Sequence, residues 1–270
     1  MTDVAPSAAH LPRRERAVIL AALAAVTALS WAYLWLLARD MAAMGDMAGS
    51  KMGDMAGMAM SAQARPWGAA QFALMFAMWW VMMAGMMLPS ATPMIMTFAT
   101  VNRGKRARGR PVVPTAAFAA GYLIAWGGFS LAATVAQWGL ERALLMSPTM
   151  ATSSAISAGI LFLAAGLYQL TPLKYACLEK CRSPLSFVLN SWREGGAGAL
   201  RMGIEHGAYC LGCCWLLMLL LFAGGVMNLL WVAALAAFVF IEKLVPHGQW
   251  IARASGVAML AFGAYLLKGG

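Results

Sequence analysis

The feature that most constrains this chain is a series of apolar runs, most about as long as a bilayer crossing, separated by short basic segments. A spanning helix needs about 20 mainly apolar residues. Runs of this kind lie at Ala17–Ala38, Trp67–Leu88, Thr115–Trp138, Ser153–Leu170, Gly203–Phe222 and Val226–Val245. A seventh, Ile251–Leu267, sits at the lower limit of spanning length. The chain has 270 residues, of which 62% are hydrophobic and 11% charged. A soluble core of that size cannot hide so much apolar surface, whereas a bilayer absorbs it. The expected fold is all-α, a polytopic membrane helix bundle of six to seven transmembrane helices.

The charges orient that bundle. Arg13, Arg14 and Arg16 precede the first run, and Arg103, Lys105, Arg106, Arg108 and Arg110 follow the second. Lys174, Lys180, Arg182 and Arg193 follow the fourth, and Lys243 and Arg253 flank the end of the sixth. By the positive-inside rule all of these are cytoplasmic, which puts the N-terminus inside and the chain in the bacterial inner membrane. The first run is long for a signal-peptide core and ends in no small-x-small cleavage pattern, so it reads as an uncleaved helix. The net charge of +10 then serves orientation and contact with the lipid bilayer rather than nucleic-acid binding. Three parts follow: residues 1–38, a cytoplasmic N-terminus and first helix; residues 39–66, a periplasmic Met-rich linker; and residues 67–270, the membrane bundle.

Methionine is the compositional outlier, with 22 residues. Met41, Met44, Met47, Met52, Met55, Met58 and Met60 fall in the linker, mostly three apart. Thioether sulfur is a soft ligand that selects Cu(I) over hard ions. It needs no deprotonation and works in an oxidising compartment. An inert low-complexity linker is the plainer reading, but an apolar, oxidisable side chain is a poor choice for one. In the second run Met75, Met78, Met82 and Met86 share a helix face, with Met83 and Met87 beside them and Met94 and Met96 beyond Pro89 and Pro93. These prolines are expected to break or kink the helix. The stripe reads either as a thioether track or as ordinary packing.

All five cysteines lie between Cys177 and Cys214. His206, Cys210 and Cys213 fall within about 60° of one another on a helix, with Cys214 at the edge and Met202 a turn before. Imidazole and thiolate one turn apart can share a soft metal. Cys177 and Cys181 join them if the intervening loop folds back on the fifth run. The plainer reading is small packing residues and a histidine bridging helices. Glu205 is positioned to orient His206 or to pair with Arg201. Glu242 and Lys243 read as interface anchors, with Glu242 facing the bundle interior as the alternative.

Several strings recur together: Met86–Ala91 (Met-Met-Leu-Pro-Ser-Ala), Tyr168–Lys174, Cys177-x-x-x-Cys181-Arg-Ser-Pro184, His206-Gly-x-Tyr-Cys210-x-Gly-Cys-Cys-Trp215, Gly225-Val-Met-Asn228 and Glu242-Lys-x-x-Pro246. As a set, over about residues 67 to 250, they resemble a bacterial family of predicted metal-binding integral membrane proteins, sometimes labelled copper chaperones. The residues and the resemblance together lead to one expectation. Cu(I) passes from the Met-rich segment to a site at His206, Cys210, Cys213 and Cys214, with Cys177 and Cys181. A membrane cuproenzyme or a periplasmic copper carrier is the expected partner. No Gly-x-x-x-x-Gly-Lys-Ser/Thr motif is present, so no nucleotide is expected. No paired-carboxylate or Ser/His/Asp arrangement suggests an enzyme. The competing readings are a thiol redox or electron-transfer protein and a structural subunit of a larger membrane complex.

Overall fold

A computed structural model describes residues 11–50, 67–106, 109, 113–143, 152, 154–246 and 248–269. The described elements, in chain order, are α1 (Arg13–Ser50), α2 (Ala69–Arg106), α3 (Thr115–Arg142), α4 (Ala155–Gln169), α5 (Pro172–Arg182), α6 (Pro184–Asn190), α7 (Gly195–Leu219), α8 (Leu221–Gly224), α9 (Leu229–Leu244) and α10 (Gly248–Gly269). Among the described residues five stretches are long and apolar enough to cross a membrane; α4 and α5, bent by 67° at their junction, make a sixth if counted as one span. The expected all-α bundle is therefore observed. Large apolar side chains such as Leu29, Leu74, Leu131, Leu167 and Leu230 face outward, as a lipid-facing belt requires.

Three boundaries differ from expectation. First, α1 does not stop at Ala38 but carries the helix to Ser50, because Met41, Ala42, Ala43 and Met44 are strong helix formers. The side chains of Met44 and Met47, and the whole of Met52, Met55, Met58 and Met60, lie outside the described residues. Second, α2 continues through Pro89 and Pro93. Hydroxyls support the backbone there: Ser90 donates to the Met87 carbonyl at 2.9 Å and Thr92 to the Leu88 carbonyl at 3.0 Å. Apolar helices tolerate proline when Ser or Thr and neighbouring helices satisfy the backbone. Third, α9 has 16 residues, short of a crossing. Asn228 caps its start by accepting from the Trp231 N–H at 3.2 Å, and Pro246 follows its end.

Small residues set the closest helix contacts. A side chain on Gly121 would run into the backbone of Leu200, and one on Gly203 into the backbone of Phe118; Gly207 lies against Ala125. Helices α3 and α7 thus touch backbone to backbone. Helices α4 and α10 do the same through Gly159 opposite Gly263 and Gly166 opposite Gly256. Close approach through small residues is the main packing device where no hydrophobic effect separates lipid from protein. The methionines of α2 fill the interior: Met78, Met82, Met83, Met86, Met87 and Met94 are all buried.

A buried ion pair ties four helices together. Lys174, expected in a cytoplasmic loop, is fully enclosed and lies 2.7 Å from the Glu242 carboxylate. It also donates to the Gln169 side-chain oxygen, and Gln169 donates in turn to Ser255 at 2.9 Å. Removing one partner leaves an uncompensated buried charge, which costs about 3–5 kcal/mol. Glu242→Gln is therefore expected to lower the thermal unfolding midpoint of the detergent-solubilised protein sharply. The double change Lys174→Met, Glu242→Leu should recover much of that loss in the same measurement. An unchanged midpoint for Glu242→Gln would contradict the pair's structural role.

Candidate metal centre

The close approach of α3 and α7 presents one face of α7 to the bundle interior. Met202, His206, Cys210, Cys213 and Cys214 are all buried on it. The segment after α4 folds back on α7, which the sequence leaves as a condition. Thr171 caps α5 by accepting from the Lys174 N–H, Pro172 starts that helix, and α5 lies across α7. Gly212 makes room for it, since a Cβ there would come within 2.6 Å of Cys177 Sγ. One turn further, the Cys181 thiol is within hydrogen-bonding reach of Cys210 and Cys213. Cys214 reaches the same two residues. The Cys213 and Cys214 thiols donate to the Cys210 backbone carbonyl at 3.1 and 3.0 Å, so three cysteines of α7 and Cys181 of α5 gather around one residue, with Cys177 beside them.

Cys210 has three further neighbours. The Lys243 ammonium donates to its sulfur at 2.9 Å and to the Ser90 hydroxyl at 3.1 Å. The Tyr122 hydroxyl lies 3.1 Å from the same sulfur and donates to the Met87 carbonyl at 3.3 Å. Met87, in the methionine-rich stretch of α2, is thus joined to the cysteine cluster through one hydroxyl. Tyr122, Ser90 and Lys243 complete the surroundings of Cys210 from α3, α2 and α9. None of the three is singled out as a site residue by the sequence. Glu242 and Lys243 are not interface anchors: both are buried. They sit side by side and turn to different partners, Lys174 and Cys210.

His206 lies a turn before Cys210, between aromatic rings. Tyr122 stacks on it at 5.6 Å and Phe118 at 6.1 Å, and Phe187 from α6 lies at 5.5 Å. Its Nδ1 is buried without a hydrogen-bond partner. An orphaned imidazole nitrogen is costly unless it accepts a proton or a metal. Glu205, expected to orient His206 or to pair with Arg201, instead forms an ion pair with Arg193 at 3.8 Å. Met202, a further turn back on the same face, accepts from the Arg193 backbone N–H at 3.3 Å.

Among the described residues no group of three or more His, Cys, Asp and Glu side chains is arranged to hold a metal ion as it stands. Cu(I) asks for less, because two soft sulfur ligands satisfy it. The thiols of Cys181 and Cys213, both within reach of Cys210, supply such pairs. The donor set of thiols and one buried imidazole nitrogen without a hydrogen-bond partner suits a soft ion.

A family model described as PpoB2, copper chaperone, matches residues 76–266 of the chain. The matched stretch holds every residue of the cluster and excludes α1 and the Met-rich segment. Comparison with curated proteins gave no match, and neither did comparison with solved structures.

Proposed function

Since the chain belongs to the PpoB2 copper-chaperone family, we propose that its copper role is carried by the cluster around Cys210. Cu(I) is the cargo, held by Cys210 with Cys181 or Cys213, and His206 Nδ1 and Cys214 are reserve ligands on the same face. The observation that carries this reading is the convergence of thiols from α5 and α7 beside a buried imidazole nitrogen that has no protein partner. Met41–Met60 captures the ion on the periplasmic side, and the buried methionines of α2 pass it to the cluster. Ligand softness rises along the path, from thioether to thiolate, which favours inward transfer. The N-terminus is cytoplasmic in this reading, and the recipient is a membrane cuproenzyme or a copper carrier. The chain acts as a carrier, without a catalytic reaction of its own.

Deleting residues 41–60 separates capture from holding. The shortened protein, purified in detergent after growth with added copper, is expected to lose the linker-bound copper and keep the ion at the cluster. Metal content by mass spectrometry reads the difference. Equal copper in the full and shortened chains would remove the linker from the account. No copper above a cysteine-free control in either would remove the cluster.

A thiol redox role is the second reading, favoured by the contact between Cys181 and both Cys210 and Cys213. It predicts a Cys181 disulfide after mild oxidation whether or not copper has been bound. The copper reading predicts that loading with Cu(I) blocks it.

A further inference from the structure

We infer that the cleft between the start of α1, the end of α2 and the start of α3 binds the headgroup of an acidic phospholipid, and that this lipid fastens α1 to the bundle. The inference rests on the membrane setting of the helices and is independent of the copper site.

Two distant stretches of sequence bring their cations to one place. Arg13, Arg14 and Arg16 open α1, and Arg103 and Arg106 close α2. The two helices run antiparallel, with Ser30 against Gly85 and Glu15 against Arg103, so these ends meet. Between them and the start of α3 lies a cavity of about 480 Å³. Its floor is fixed by Asn102, whose side chain donates to the Val113 carbonyl at 2.5 Å and holds the entry to α3 against α2. The charged residues lining it are Arg14, Glu15, Arg103 and Arg106. Three arginines against one glutamate leave two positive charges. Glu15 pairs with Arg103. Arg14 and Arg106 are exposed and have no carboxylate partner among the described residues. A guanidinium fork matches the oxygens of a phosphate, so two unpaired forks from two helices suit a phosphodiester headgroup.

The apolar surroundings favour a lipid over a free anion. Val18 lines the same cavity and is 61% exposed. Ala22, Ala25 and Leu29 follow it at helical spacing, and all are exposed. An uncovered apolar strip on α1 thus runs from the cleft along the helix, where an acyl chain can lie. At this end α1 is tied to α2 by the Glu15–Arg103 pair, whose side chains are 47% and 39% exposed. Ion pairs that open to solvent contribute little. A phosphate held by Arg14 of α1 and Arg106 of α2 supplies a second tie. The other side of α1 provides a contrast: a larger cavity there, about 580 Å³, has Arg16 as its one charged lining residue.

Two matched pairs of substitutions test this on the full chain in nonionic detergent micelles. Arg14→Gln with Arg106→Gln removes the unpaired cations of the cleft. Arg13→Gln with Arg16→Gln removes the same charge from the same end of the bundle and leaves the cleft intact. All four side chains are exposed, so unfolding midpoints without lipid are expected to match wild type and show both proteins folded. Native mass spectrometry then measures binding of phosphatidylglycerol and of phosphatidylcholine with the same acyl chains. Wild type is expected to prefer phosphatidylglycerol. The cleft pair should weaken that binding about 30-fold, roughly 5-fold for each arginine beside an anionic headgroup, and the control pair should stay within a few-fold of wild type. Added phosphatidylglycerol should raise the unfolding midpoint of wild type and not that of the cleft pair. Equal losses in the two pairs, or no preference over phosphatidylcholine, would overturn the site. Displacement of the lipid by millimolar inorganic phosphate would make it a small-anion site and overturn the lipid assignment. Binding without a rise in midpoint would overturn the fastening role.

Discussion

Gly203→Leu is expected to destroy the bundle's central contact and, with it, all copper binding by the cluster. The Gly203 position faces the Phe118 backbone so closely that even a Cβ cannot be placed without a shift. Gly121, facing Leu200, imposes the same limit from the other helix. Neither obstacle is a flexible side-chain end that could swing away; both are backbone. Overpacking usually costs about 1–3 kcal/mol, and a leucine wedged between two backbones lies at or beyond the upper end. Separating α3 from α7 would also part Tyr122 from Cys210 and open the aromatic stack on His206. The control is Gly128→Leu on the partner helix α3, where nothing lies within 4 Å of the would-be Cβ. That change is expected to stay within about 0.5 kcal/mol. Unfolding midpoints in detergent compare the two directly, and similar midpoints would contradict the packing account.

The second large effect is expected from Cys210→Ser. Cys210 is the hub of the cluster: Cys181, Cys213, Cys214, Tyr122 and Lys243 all contact it. Serine nearly matches its volume and can still accept from Lys243, so the fold should survive. The hydroxyl is a hard, weak ligand for Cu(I), and the remaining thiols lose the partner they share. The loss of Cu(I) affinity should exceed the roughly 10–100-fold typical of an outer-shell change. Competition with a Cu(I) chelator measures it. An affinity within a few-fold of wild type, in a protein with an unchanged unfolding midpoint, would place the copper elsewhere. His206→Phe should cost less, because two thiolates remain and phenylalanine preserves the stack with Tyr122 and Phe118.

Apolar length and basic punctuation make the helix bundle legible in the amino-acid sequence, because a spanning helix must satisfy its own backbone in a fixed thickness. The α7 site face is legible for a similar reason: His206, Cys210 and Cys213 share one side of any helix that contains them. The fold-back of Cys177 and Cys181 can be stated from sequence only as a condition. It depends on a bend at Gln169–Pro172 and on the space left by Gly212, which no periodicity reports. Lys174 and Lys243 mislead a sequence reading because lysine near the end of an apolar run is usually an anchor that reaches for water. Their burial follows from pairing across the chain, Lys174 with Glu242 and Lys243 with Cys210. An ionisable residue within such a run is better read first as facing inward to a partner. The prolines of α2 look like breakers until the hydroxyls of Ser90 and Thr92, close in sequence, are counted as backbone partners. The spacing of Gly203 and Gly207, a small residue every fourth position, is a usable signal for the α3–α7 contact.

Cu(I) held by buried thiolates around Cys210 has a distinct spectroscopic signature. X-ray absorption at the copper edge reads it on the chain lacking residues 41–60, so that the linker methionines cannot contribute. A Cu(I) edge with sulfur as the main neighbour is expected in the wild-type cluster, with loss of the copper when Cys181, Cys210, Cys213 and Cys214 are replaced by serine. Copper retained in that four-serine chain, or a neighbour shell of nitrogen and oxygen alone, would contradict thiolate binding.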